Sequence, residues 1–350
     1  MGKWLINITV MLVAAAIPCA LAEAWLRITA PPADTAELFR KLSSPVEWSG
    51  RPHARGLHTG VPVAFNSLGL RDAERTPQPA PGALRILAIG DSVTFGMGVA
   101  QEQTYPRQLE SLLSRERGAP VEVLNMGMPG YNTRHQLAQL RELGLALQPK
   151  VVVLGFLYND VEPSSAQRSA RPPQEEKSLL RKARSTINAG TLWLKKNSLF
   201  FAWVTPRLGL VLRPLGFKGF GQVGEVKDKY VDTNPQWRGV QQALLEMQRL
   251  TAERGIELVV MIIPAMAKFD DATYPIKEYH QAVAAFCRDS GIRHVDLLPA
   301  FWGLDGTRFW IHATDGHPNA EGQRIMAEAL AKYLAPLLPP AGMVAAGAKP

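Results

Sequence analysis

Short apolar runs that alternate with helical patterns restrict the fold of this chain more than any other feature. Residues 85–90, 121–124 and 151–155 are strand-length and rich in Val, Ile or Leu. Residues 105–114 and 133–147, which lie between these runs, carry apolar side chains at helical spacing. Strands that alternate with helices predict a parallel sheet that is covered on both faces.

The same alternation resumes after residue 233. A helix is predicted to begin at Asn234, because asparagine is a good helix cap and proline follows it. Strands are predicted at 257–263 and 293–297, a helix at 275–290, and a final helix capped by Asn319. The predicted fold class is therefore α/β, a three-layer α/β/α sandwich of about five parallel strands.

Composition divides the chain into segments around this sandwich. Residues 1–30 are predicted to form a transmembrane signal-anchor helix, and residues 31–82, which are rich in Pro and Gly, an extended linker with little helix. The folded domain is predicted over 83–338, interrupted by a basic insertion at 161–230. Residues 339–350 are expected to be a flexible tail.

The amino terminus indicates where the protein resides. Lys3 is followed by nineteen residues without a charged side chain, from Trp4 to Ala22, and a helix of that length spans roughly 28 Å. This pattern predicts a single-pass signal-anchor with Lys3 inside and the remainder of the chain exported. Residues 20–22 could alternatively be a small-residue cleavage site, which would release a secreted chain.

The net positive charge of the chain comes from the insertion, and the rest of the chain is neutral in sum. The formal net charge is +8, and residues 161–230 alone carry thirteen Lys/Arg against five Asp/Glu. No element that reads nucleic acid is recognisable, so nucleic acid is not expected as a partner. The insertion has two interpretations: a surface that lies against anionic lipid or closes over the pocket, or a solvated linker with a helical hairpin packed on the domain.

The two cysteines predict neither a disulfide nor a metal site. Cys19 lies inside the apolar amino-terminal run, far along the chain from Cys287, and no His pair at ligand spacing accompanies them. The cysteines therefore give no reason to expect a disulfide or a structural zinc site.

Polar and glycine-rich segments follow the predicted strands. Residues 89–92 come directly after the first run, Gly127 and Gly130 follow the second, and 158–160 follow the third, while His317 precedes the final helix. In an open parallel sheet, ligands bind at the carboxyl ends of the strands. These segments are therefore expected to converge on one pocket.

Four of these segments resemble the sequence blocks of the SGNH/GDSL hydrolases, in the same order. They are 90–92 (Gly-Asp-Ser), 125–130 (Asn-Met-Gly-Met-Pro-Gly), 159–160 (Asn-Asp) and 315–319 (Asp-Gly-His-Pro-Asn). The likeness spans about residues 65 to 335, and within the family the sequence most resembles membrane-attached bacterial members. Such members also tend to carry segments like 65–71, which ends in Arg71.

The resemblance implies roles for individual residues. Ser92 would attack an ester carbonyl after His317 removes its hydroxyl proton. Three groups would bind the oxyanion that then develops: the backbone N–H of Ser92, the backbone N–H of Gly130 and the side-chain amide of Asn159. Asp91 and Asp160 are expected to support these groups.

The orienting carboxylate departs from the usual pattern of the family. Its members usually place Asp three positions before the His, where this chain has Thr314. Asp315 is the nearest carboxylate and is predicted to orient His317. His312 remains a rival base.

The resemblance thus implies a serine esterase that removes O-acetyl or other acyl groups from envelope or secreted polysaccharide, without a metal or an organic cofactor. It also implies that the protein is tethered to the bacterial inner membrane, with its catalytic domain on the periplasmic side. Two alternatives stay open. One is an acyltransferase that passes the acyl group to a sugar hydroxyl through the same triad, and the other is a catalytically silent scaffold that binds glycan or a partner at the membrane.

Overall fold

The computed structural model describes residues 2–29, 37–163 except 44, seven positions between 190 and 204, and 226–340 except 268, 270–273, 275, 313 and 314. The chain divides into two compact units, one of residues 1–32 with 170–222 and one of residues 33–169 with 223–350. Most of the predicted insertion, and the tail beyond residue 340, lie outside the described residues.

The smaller unit contains helix α1 (Gly2–Thr29). The helix includes the stretch Thr9–Ile28, whose mean hydropathy is 1.8. Its length and composition suit a membrane span, although a signal sequence meets the same criterion. Near the carboxyl end of α1, Glu23 accepts hydrogen bonds from Ser198 Oγ and Phe200 N, both 2.8 Å long. The insertion therefore contacts α1 through Ser198 and Phe200.

The predicted linker contains ordered strands within its described residues. Strands β1 (Phe39–Lys41) and β2 (Trp48–Gly50) form one antiparallel hairpin, and β3 (Arg55–His58) and β4 (Val61–Ala64) form another. These strands contribute to a second small core, made of Leu38, Val46, Val63, Phe65, Phe95, Met128, Tyr131 and Ala138. The structure therefore differs here from an extended connection, because the Pro and Gly residues form turns between strands too short to leave a clear periodic pattern.

The central sheet has five parallel strands: β5 (Leu84–Ile89), β6 (Val121–Asn125), β7 (Val151–Phe156), β8 (Glu257–Ile262) and β9 (Arg293–Asp296). Their order across the sheet is β6-β5-β7-β8-β9. Every residue of β5 and β7 is buried, as expected for strands covered on both faces. From β5 the chain moves to the neighbour on one side, β6, and then returns to the neighbour on the other side, β7, so the loops after β5 and β7 border a crevice.

Helices flank this sheet as the sequence predicts. They are α2 (Ser92–Phe95), α3 (Tyr105–Arg117), α4 (Thr133–Glu142), α5 (Pro235–Ala252), α6 (Lys277–Asp289), α7 (Leu298–Phe301) and α8 (Ala320–Leu334). Helix α3 packs against α8, and α4 packs against α5. Asn234 and Asn319 cap α5 and α8 through their side-chain oxygens. The predicted α/β fold class is confirmed.

A third hairpin precedes the last helix. Strand β10 (Trp310–His312) pairs antiparallel with β11 (Asp315–Pro318). His317 therefore lies in a short strand, where the sequence predicts a loop.

Candidate active site

Ser92 lies at the first turn of α2, directly after β5. Its side chain is 7% exposed, at the edge of the core. Asp91 precedes it as the helix cap, and Asp91 Oδ1 accepts a hydrogen bond from Val93 N at 2.9 Å. Because β5 is buried and the cap bond begins the helix at once, the chain turns sharply at the carboxyl end of the sheet and presents the serine there.

Arg71 binds the backbone at the carboxyl end of α2 and just beyond it. Its guanidinium donates to the carbonyl oxygens of Phe95 at 2.9 Å and of Gly96 and Val99 at 2.6 Å, while the side chain is 1% exposed. Burial lowers the pKa of Arg71 to about 10, against a weaker opposing effect of Glu102. The guanidinium remains charged at neutral pH and satisfies carbonyls that a short helix leaves without partners.

His317 is hydrogen-bonded to Ser92. The distance between His317 Nε2 and Ser92 Oγ is 2.8 Å, and that between His317 Nδ1 and Asp315 Oδ1 is 2.5 Å. In the neutral tautomer that fits both contacts, Nδ1–H donates to the carboxylate and Nε2 accepts from the serine hydroxyl. His312 is exposed, and the described contacts of Ser92 Oγ are with His317.

Opposing effects set the pKa values of this pair. Burial lowers the pKa of His317, but the hydrogen bond and charge of Asp315, together with the charge of Asp91, outweigh it and leave the pKa above its ordinary value. Burial raises the pKa of Asp315, but the hydrogen bonds and charge of His317 leave it below its ordinary value. Asp315 is therefore ionised near neutral pH and stabilises a protonated His317.

The Gly127 to Gly130 loop after β6 approaches the backbone of α2 closely, at Thr94 and Phe95. A Cβ on Gly127 would lie 2.2 Å from Phe95 N, so only glycine fits where this loop meets α2. Gly130 has a φ of +81°, in the left-handed region. In the part of the chain that the structure describes, neither Ser92 N nor Gly130 N donates a hydrogen bond to another protein group. Both N–H groups are thus available to a ligand.

Asn159 follows β7 and lies beside Asp91. Its Nδ2 is 3.4 Å from Asp91 Oδ2, and its buried Oδ1 has no hydrogen-bond partner among the described residues. Asp160 forms the base of this turn, because its carboxylate accepts from Leu157 N at 2.7 Å and from Gln136 Nε2 at 2.9 Å. Asn159 follows β7 as Ser92 follows β5, and the two strands are parallel neighbours. Both side chains therefore lie at the carboxyl end of the sheet.

Asp91 and Asp160 are both buried carboxyl groups. Burial raises the pKa of Asp91, and burial together with the charge of Asp91 raises the pKa of Asp160 well above its ordinary value. Two carboxylates in one buried region disfavour each other's ionisation. Asp91 accepts a hydrogen bond in the turn that carries Ser92, and Asp160 accepts hydrogen bonds in the turn that carries Asn159.

Some residues at the site were not assigned a role from the sequence. Trp48 packs against Gly130, and its Nε1 donates to Pro129 O at 3.2 Å. Gln323 of α8 donates to Val93 O at 3.0 Å and accepts from Tyr105 N at 2.8 Å. Arg71 had a signal, the segment 65–71, whereas Trp48 and Gln323 had none that distinguishes them from core residues.

No group of three or more His, Cys, Asp or Glu side chains that could hold a metal ion occurs among the described residues.

Fold and site together define an α/β protein in which a serine hydroxyl is hydrogen-bonded to a histidine at the carboxyl end of a parallel sheet. The family model of the GDSL-like Lipase/Acylhydrolase family matches residues 88–325. This chain belongs to that family. The family implies ester hydrolase activity in general terms.

Solved structures of similar fold include several esterases. "Crystal Structure of TesA" is 18% identical over 73% of this chain and 99% of that chain, with a TM-score of 0.44. The acetylxylan esterase Axe2 from Geobacillus stearothermophilus is 17% identical over 71% and 93%, with a TM-score of 0.43. A putative lipolytic protein of the G-D-S-L family from Desulfitobacterium hafniense DCB-2 is 15% identical over 71% and 98%, with a TM-score of 0.39. No curated protein matches the sequence.

Proposed function

We propose that this chain is a serine ester hydrolase that removes O-acetyl or other acyl groups from envelope or secreted carbohydrate. The observation that carries the proposal is the 2.8 Å contact between His317 Nε2 and Ser92 Oγ. A hydroxyl is a weak nucleophile until a base takes its proton, and this distance lies within hydrogen-bond reach. The family membership gives the ester as the bond that is cleaved.

Acylation follows from this geometry. Ser92 Oγ attacks the carbonyl carbon of the ester while its proton passes to His317 Nε2, and Asp315 stabilises the imidazolium. The carbonyl oxygen becomes an oxyanion that accepts hydrogen bonds from Ser92 N, Gly130 N and Asn159 Nδ2. When the C–O bond breaks, the imidazolium returns the proton to the departing alcohol, and the acyl group remains on Ser92.

Deacylation repeats these steps with water. His317 takes a proton from water, the hydroxide attacks the acyl carbonyl, and the same three donors bind the second oxyanion. The Ser92 oxygen leaves and recovers its proton from His317, so that one ester and one water give one acid and one alcohol. Neither step calls on a metal or an organic cofactor.

The carbohydrate substrate is supported by partly exposed aromatic rings beside the reactive groups. Trp48 lies against Gly130. Gly316 stands between Asp315 and His317 in the sequence, and a Cβ on it would lie 3.5 Å from the Trp310 ring. Indole rings offer flat apolar faces with a polar edge, which suit the C–H faces of sugars.

We further propose that α1 anchors the protein in the inner membrane with the hydrolase domain outside the cytoplasm, and that the basic insertion adds a contact with anionic lipid. The apolar stretch Thr9–Ile28 supports the anchor, and the charge excess of 161–230 supports the lipid contact. If the protein stays in the membrane pellet after an alkaline carbonate wash, it is anchored. A mature chain that begins just after Ala22 would instead indicate a cleaved and secreted protein.

The esterase proposal is tested with a fluorophosphonate probe, which reacts with an activated serine. We expect labelling of the wild type and of Ser111→Ala, which removes an exposed hydroxyl bonded to Arg107 O, and none of Ser92→Ala. Hydrolysis of p-nitrophenyl acetate and longer esters then measures acyl preference. Wild-type protein that is folded yet neither labelled nor active on any ester would favour the silent scaffold.

The acyltransferase alternative is tested by measuring free acetate with and without an acceptor glycan. An esterase releases the same acetate in both. A fall in free acetate that is matched by acetylated glycan would show transfer.

A further inference from the structure

The indole of Trp48 is bonded to the peptide unit that carries the proposed oxyanion donor of Gly130. Its Nε1–H donates to Pro129 O at 3.2 Å, and a Cβ on Gly130 would lie 3.4 Å from the ring. Pro129 C=O and Gly130 N–H belong to one planar trans peptide, so they point in opposite directions. Any group that fixes the carbonyl therefore also fixes the direction of the N–H.

This peptide is the central unit of a tight turn. Tyr131 N donates to Met128 O at 3.2 Å, with Pro129 at the second position of the turn and Gly130, at φ +81°, at the third. Proline followed by glycine with positive φ defines a type II turn. A type I turn differs mainly by rotation of the central peptide through about 180°, and glycine at the third position tolerates both conformations. The local sequence alone therefore does not hold the Gly130 N–H in one direction.

We propose that Trp48 is a positioning residue for the oxyanion hole: its indole N–H holds the central peptide of this turn so that the Gly130 N–H keeps the direction needed to bind the oxyanion. The inference rests on the proposed esterase function. The bond to Pro129 O also polarises the peptide, which makes the Gly130 N–H a stronger donor.

The structure holds Trp48 itself in place from three sides. The Tyr131 hydroxyl donates to Trp48 O, and the Trp48 ring lies 5.3 Å from the Tyr131 ring and 5.0 Å from the His135 ring. Glu47, the preceding residue, contacts His135 Nε2 at 3.3 Å and has a φ of +65°. A non-glycine residue in this region is strained, and such strain persists where the surrounding contacts require it.

Trp48 lies outside residues 88–325, which match the family model, whereas Gly130 lies inside them. The hairpin of β1 and β2 therefore adds a group to the site from a segment that precedes the family domain. The indole N–H that binds Pro129 O thus comes from the amino-terminal segment of this chain.

The test removes the indole N–H while keeping an aromatic ring. For Trp48→Phe in the full-length protein, with p-nitrophenyl acetate as substrate, we expect kcat to fall roughly 10- to 100-fold, less than the loss of an entire oxyanion donor. KM should stay within about twofold of the wild type, because this small ester has no sugar for Trp48 to contact. The acid limb of the pH profile should stay in place, because Asp315 and His317 are unchanged. Trp302→Phe is the matched control: Trp302 is 40% exposed, and its replacement should leave kcat unchanged.

A crystal structure of Trp48→Phe gives a second measurement that needs no turnover. We expect the 129–130 peptide to be rotated or to occupy two orientations. If it keeps the wild-type orientation alone, or if kcat stays within about twofold of the wild type, the positioning role is overturned. Should Trp48→Phe not fold, Tyr131→Phe, which loses the bond to Trp48 O, replaces it with the same two measurements and a smaller expected fall in kcat.

The experiments distinguish failure of the esterase proposal from failure of the positioning proposal. Failure of the esterase function appears as wild-type protein without probe labelling or ester hydrolysis, and it removes the oxyanion role of Trp48 as well. Failure of the positioning role alone appears as active, labelled wild type with an unaffected Trp48→Phe variant.

Discussion

The carboxylate of Asp315 holds His317 through a single oxygen atom. Asp315 Oδ1 accepts from His317 N at 3.0 Å and lies 2.5 Å from His317 Nδ1. Both residues lie in β11, where side chains two positions apart face the same side. The Asp-x-His spacing therefore brings a carboxylate to the imidazole although Thr314 occupies the position where the family usually has Asp.

The pH dependence of activity should reflect the raised pKa of His317. The base must be neutral to take the serine proton, so kcat/KM should fall as pH decreases through that pKa. Because the pKa lies above its ordinary value of 6.5, the midpoint of the acid limb is expected above 6.5. Rates of p-nitrophenyl acetate hydrolysis between about pH 5 and 9 measure it. A midpoint clearly below 6.5 would contradict the assignment of His317.

Asp315→Asn should remove the charge that orients and stabilises protonated His317. We expect kcat to fall by on the order of 10⁴-fold, the effect of the same change in a serine protease triad, and the acid limb to move to lower pH, because the raising effect of the carboxylate is lost. His312→Gln is the control, since His312 is exposed and should be dispensable. Loss of activity in His312→Gln with retention in Asp315→Asn would reverse the two assignments.

Asn159→Ala should lower kcat by about 10²- to 10³-fold with little change in KM, because an oxyanion donor acts in the transition state. Asn234→Ala is a matched control. Asn234 caps α5, so its replacement should cost about 1 kcal/mol of stability and leave kcat intact. Equal kcat values for the two variants would argue against Asn159 as a donor.

Arg71→Met should destabilise the fold more than an ordinary surface change. Three buried carbonyls lose their donor, so we expect the free energy of unfolding to fall by about 3 kcal/mol. Arg115→Met, at an exposed position of α3, should change it by less than about 0.5 kcal/mol. Urea unfolding curves measure both. Similar midpoints for the two variants would mean that Arg71 contributes little to the turn after Ser92.

The order of strands and helices was predictable because it depends on local pattern. Fully buried strands such as β5 and β7 leave continuous apolar runs, and capping residues such as Asn319 mark helix ends. The paired hairpins before residue 65 were not predicted, because strands of three or four residues between turns lack a period long enough to detect.

The sequence by itself determined the α/β class, because strand, helix and turn preferences act between residues close along the chain. It also indicated Ser92 and His317, through the resemblance of four short blocks to a known family. Only the tertiary structure decided that His317 reaches Ser92, that Arg71 binds the carbonyls after α2 and that Trp48 bonds to Pro129 O. Those contacts join segments brought together by packing of the whole core, and a side chain that gains a distant partner leaves no periodic signal at its own position.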